Sequence, residues 1–99
     1  MLIRSQDKEI LINFNNSPSI KIMETKGGVI IICSDTYETF VIGNYSTKAK
    51  AMKVLDMIQE AYSEYQIMLN FSVSYLHEFK EKTDGFAIFQ MPEDSEVES

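Results

Sequence analysis

The sequence predicts an α+β domain: an antiparallel β-meander of five or six strands packed on one long α-helix, with a shorter second helix. Two observations carry that expectation. Up to Gly43, short runs rich in Ile, Val and aromatics alternate with turn residues. Beyond Gly43 the spacing of apolar residues changes to the three-four pattern of a helix face. Length sets the scale, because 99 residues and 11.4 kDa allow one modest core that buries roughly 60–65% of the unfolded surface.

Five strands fall in the first half, over 2–6, 10–14, 19–24, 29–33 and 37–42. Asp7-Lys8, Asn15-Asn16-Ser17-Pro18, Lys26-Gly27-Gly28 and Ser34-Asp35-Thr36 punctuate them. Gly27-Gly28 supplies the positive φ of a tight hairpin, and Lys26-Gly27-Gly28 lacks the rest of a phosphate loop. From Thr47 to about Gln66, the residues Ala51, Met52, Leu55, Ile58, Tyr62 and Tyr65 line one helix face, with Ser46 as N-cap. Residues 67–79 fit either period, and a second helix is expected over about 72–82. Asp84-Gly85 turns the chain into a last strand over 86–91, stopped by Pro92. Residues 1–92 read as one domain. Residues 93–99, with four acids and no base, read as an acidic flexible tail.

Charge and composition exclude several functions. Fifteen acids against nine bases give a net charge of −6, which disfavours a general nucleic-acid binder. A single Cys and a single His rule out a disulfide framework or a Cys/His zinc site within one chain. The opening residues lack the apolar core of a signal peptide. The longest apolar run, Val29 to Cys33, is far short of the ~20 residues that span a bilayer. Cys33 within it reads as a small core hydrophobe. A cytoplasmic protein without a membrane partner is therefore expected.

Strand alternation is imperfect. Leu11 faces away from Ile10, Ile12 and Phe14, and Val29 to Cys33 is apolar throughout. A sheet with one wet face alternates cleanly, whereas one covered on both faces does not. One helix covers one face, so residues 67–82, a second subunit or both must cover the other. A homo-oligomer is expected.

No residue set points to catalysis, and no cofactor or metal is expected. His77 lies on an ambiguous amphipathic stretch, and no Ser, Cys or Thr nucleophile sits in a recognisable elbow. Nothing favours a carboxylate metal site built from Asp35, Glu38 or Asp84. The helix start is more informative. Lys48, Lys50 and Lys53 fill its first two turns with no acid, against the preference of the helix dipole. Such a concentration of positive charge beside free N–H groups suits a phosphate. The proposed ligand-binding set is Lys48 and Lys50 for charge, Ser46 and Thr47 for phosphate oxygens, Arg4 for a second phosphate, and Tyr37 or Tyr45 for stacking on a base. The competing reading solvates these lysines or pairs them with Asp7, Glu9 or Glu24. The acidic tail likewise reads either as a mimic of a nucleic-acid backbone or as a solvated end.

Four segments carry a resemblance: the opening Met1 to Lys8, Ile42-Gly43-Asn44-Tyr45-Ser46-Thr47, Val54-Leu55-Asp56-Met57-Ile58-Gln59, and Phe89-Gln90-Met91-Pro92. Together they resemble short proteins of Firmicutes and their phages. Small phage proteins of this design include sponges that bind nucleotide immune signals of the Thoeris and CBASS kinds. That resemblance implies a compact, non-catalytic homo-oligomer in a bacterial host's cytoplasm, sequestering a small phosphorylated nucleotide. It assigns no binding residue. Two alternatives stay open: a protein-interaction module or inhibitor of a host enzyme, and a small nucleotide-degrading enzyme.

Overall fold

A computed structural model describes residues 1–16, 18–70 and 88–98. In chain order these form β1 (Leu2–Arg4), β2 (Leu11–Asn13), β3 (Ser19–Thr25), β4 (Gly28–Ser34), β5 (Thr39–Tyr45), α1 (Lys48–Asn70) and β6 (Ile88–Gln90). Short 3-10 turns cover Phe14–Asn16 and Asp94–Glu96. The α+β class holds, with six strands and one helix among the described residues. The second helix expected over 72–82, the Asp84-Gly85 turn and His77 lie outside them.

The single meander is corrected to two three-stranded sheets, ordered β2-β1-β6 and β3-β4-β5. In the first, β1 runs antiparallel to β2 and parallel to β6, with Ile3 opposite both Ile12 and Phe89. A pairing between residues 3 and 89 leaves no trace in local periodicity, which is why a meander was expected. The β1–β2 connection is held by the Ser5 hydroxyl, which accepts from the Ile10 N–H at 3.0 Å and donates to Asp7. Lys8 adopts the left-handed conformation there, at φ 68°.

The second sheet is antiparallel throughout. Of the Gly27-Gly28 pair, Gly28 takes the positive φ, 141°, at the β3–β4 turn. Ile31 pairs with Gly43 and Ile32 with Val41, so Ile42 is an extra residue in β5. That bulge leaves Ile42 and Gly43 both facing inward, which resets the alternation so that Asn44 faces out and Tyr45 in. Gly43 is required because a Cβ there would stand 2.7 Å from the ring of Tyr45.

Helix α1 packs across all three strands of this sheet. Ala51, Val54 and Ile58 are buried, and Leu55, Ala61, Tyr62 and Tyr65 pack around them. Met52, placed on this face by spacing, is 47% exposed, and Val54 takes the inward position. The Tyr62 ring meets Phe14 edge-on at 4.8 Å, joining the helix to the end of β2. One core forms, in which Ile3, Met91 and Val97 meet Ile31, Cys33 and Ile42. Gln6 splices the sheets together. Its N–H donates to the Ile42 carbonyl at 2.8 Å, and its side-chain amide accepts from Asn44 N–H and donates to Asn44 C=O. That amide stands in for a strand peptide.

Candidate functional site

Strand β5 ends by sending Tyr45 inward and Ser46 outward. Tyr45 is 1% exposed, and its hydroxyl donates to the Pro92 carbonyl at 2.8 Å. Burial raises its phenol pKa, with the Glu93, Asp94 and Glu96 charges adding to the effect. A ring so enclosed has no face left for a base, so Tyr45 is not a stacking residue.

Ser46 is not the N-cap. Thr47 holds that position, its hydroxyl accepting from Lys50 N–H at 3.2 Å and its carbonyl from Ala51 N–H at 3.2 Å. Ser46 has another role: its N–H and hydroxyl donate to one oxygen of the Asp94 carboxylate, at 2.8 and 3.1 Å. The Lys50 ammonium reaches the other oxygen at 3.4 Å and the Asp94 carbonyl at 3.0 Å. Chiefly the Ser46 N–H, then the Ser46 hydroxyl and Lys50, hold the Asp94 carboxyl below its usual range. An anionic group therefore sits where a phosphate was expected, and the chain supplies it.

The other expected residues are dispersed. Lys48 extends to Glu24 at 4.0 Å, with both side chains more than 60% exposed, matching the surface pairing entertained for these lysines. A pair this exposed contributes little. Arg4 directs its Nε to the Lys8 carbonyl at 3.1 Å. Tyr37 is 91% exposed in the β4–β5 turn, where its N–H donates to Asp35. Strand β5 separates that turn from the helix start, about 20 Å of extended chain. Ser46, Thr47, Lys48 and Lys50 thus gather at the helix start, without Tyr37 and with Tyr45 enclosed.

Asp94 and Gln6 escaped the sequence reading. Asp94 lies 48 residues from Ser46 in an acidic segment whose composition reads as solvated. That segment is anchored: Glu93 and Glu96 cap each other, and Val97 is 6% exposed. No group of three or more His, Cys, Asp or Glu side chains able to hold a metal occurs among the described residues. No described helix is long and apolar enough to cross a membrane. No family model, curated protein or solved structure matches the chain.

Proposed function

We propose that the chain is a non-enzymatic binding protein that works through protein–protein contact, copies of it docking as a homo-oligomer. The observation that carries this reading is the outer face of the β3-β4-β5 sheet. Met23 pairs across to Ile30, and Val41 to Ile32, on the side away from the helix. Met23 is 44% and Val41 52% exposed, flanking Ile30, which is half-buried, and Ile32, which is buried. Lys21 and Asn44 occupy the two remaining corners of the patch. A sheet face meant for water alternates to polar residues, whereas a contiguous apolar strip rimmed by polar ones marks a contact surface. On the outer face of β2-β1-β6, Leu11 and Ile88 are exposed apolar residues on the two edge strands, Leu11 opposite Arg4 and Ile88 opposite Leu2. Light scattering tests the reading. A mass above 11.4 kDa that Val41→Lys returns to a single chain supports it, and a lone 11.4 kDa species at all concentrations overturns self-association.

A second reading rests on Asp94. Ser46 and Lys50 direct three donors onto one anionic group, the arrangement that a phosphate also needs. Capture of a small phosphorylated nucleotide signal of host anti-phage defence would then require the ligand to displace Asp94, with Thr47 and Lys48 alongside. Incubation with cyclic dinucleotides and ADP-ribose derivatives decides it. Intact ligand released after heat denaturation, with tighter binding in Asp94→Ala, supports sequestration. Altered ligand points to an enzyme, and no binding leaves the protein-contact reading alone.

A further inference from the structure

Away from the helix start, a cleft of about 240 Å³ opens between β2 of one sheet and the β4–β5 end of the other. Its lining is divided about evenly between polar and apolar surface, and the apolar side includes Ile12 and Phe40, half-buried, and Cys33, buried. Two exposed carboxylates, Asp35 and Glu38, line the same cleft. The turn between them is rigidly bonded. One Asp35 carboxylate oxygen accepts from the N–H groups of Tyr37 and Glu38 at 2.8 and 2.7 Å, and Asp35 N–H donates to the Glu38 carbonyl at 2.9 Å. These bonds to Tyr37 and Glu38 hold the Asp35 carboxyl below its usual range, so it is charged at neutral pH. The charge is felt inside the cleft: burial first, then Asp35, raises the Cys33 thiol pKa. Among the described residues the ion pairs are Lys48–Glu24 and Lys50–Asp94, and neither involves these acids.

We propose that this cleft binds a small organic cation, an ammonium or guanidinium group on an apolar body. The body lies against Ile12, Phe40 and Cys33, and the charge between Asp35 and Glu38. Size limits the occupant, since the cleft is smaller than the ~300 Å³ at which pockets for drug-sized ligands begin. A short arylalkylamine or a single basic side chain fits that volume. Both carboxylates repel a phosphate, so this site is independent of the helix start at the other end of β5. Charge and shape together give the selectivity, because the walls alone would accept a neutral analogue equally well.

Amide NMR titration of the full chain tests the proposal with three probes: tryptamine, its neutral counterpart 3-ethylindole, and Nα-acetylarginine methylamide. A cationic probe is expected to shift the amides of residues 10–13 and 35–40 saturably, and to bind about tenfold more tightly than 3-ethylindole. Glu38→Gln is expected to erase most of that preference and Glu38→Asp to restore part of it, with the remaining spectrum unchanged. Stronger binding of the arginine probe identifies a protein side chain as the occupant, and stronger binding of tryptamine a free amine. Either outcome supports the site. Equal affinity for tryptamine and 3-ethylindole, or no saturable shift with either cation at about 10 mM, overturns it.

Discussion

Ser46 binds Asp94 through both of its donors, the backbone N–H at 2.8 Å and the hydroxyl at 3.1 Å, across 48 residues of sequence. The contact places a carboxylate beside a lysine-rich helix start that carries no acid of its own in the first turn. A negative group at this end answers the helix dipole as well as Lys50. The C-terminal segment is thereby fastened over the junction of β5 and α1.

The first prediction concerns Asp94→Asn. The folded carboxyl pKa lies below its ordinary 3.8, so its stabilisation is fully present above that value and is lost as pH falls through the folded pKa. The variant should unfold at lower urea than the parent at pH 7, and the gap should close as pH falls below the ordinary 3.8. Urea midpoints across that range measure it. A gap of constant size would show that the charge is not what holds the segment.

Gly43→Ala should be among the costlier small substitutions. The added methyl would stand 2.7 Å from Tyr45 Cε2 and 3.1 Å from Met91 Cε, both in the core. Overpacking of this kind costs about 1–3 kcal/mol. Denaturant unfolding should show the loss without a change in m-value. A neutral result would mean that the Tyr45 ring moves freely, against the packing described.

Tyr45→Phe removes the buried hydroxyl that donates to Pro92. The Pro92 carbonyl keeps a second donor in the Gln6 amide, so the expected loss is about 1 kcal/mol. The phenol pKa is raised above its ordinary 10.0 in the fold, so the unfolded chain ionises first and the parent loses stability as pH climbs past that value. The Phe variant should lose less on the alkaline side. Thermal unfolding at pH 8 and pH 10.5 compares them.

Val97→Ala tests whether the end of the chain belongs to the core. Val97 is 6% exposed and packs within the same cluster as Ile3 and Met91. Loss of two buried carbons should cost about 1–2 kcal/mol. A frayed tail would tolerate the change at no cost, and chemical denaturation separates the two cases.

Much of the fold was legible in residue pattern. The apolar run Val29 to Cys33 became central strand β4, and Val29, Ile31 and Cys33 face the core as alternation requires. The helix began where the period changed. Turn chemistry misled at Gly43-Asn44, which reads as the end of a strand. Strand β5 runs on to Tyr45, and Gly43 is there because a ring lies over it. That one extension moves Tyr45 from a ligand-facing loop into the core and shifts the cap from Ser46 to Thr47.

The sequence by itself determined the α+β class, the order of the described strands and helix, most of the helix face that is buried (Met52 and Val54 apart), and the lysine-rich character of the helix start. Such properties follow from neighbours three or four residues apart along the chain, where sterics and periodicity act. Only the tertiary structure decided that β1 pairs with β6, that Gln6 joins two sheets, and that Asp94 occupies the donors of Ser46 and Lys50. These contacts join residues about 40 to 90 positions apart, and their energy exists only once the core has brought the ends of the chain together.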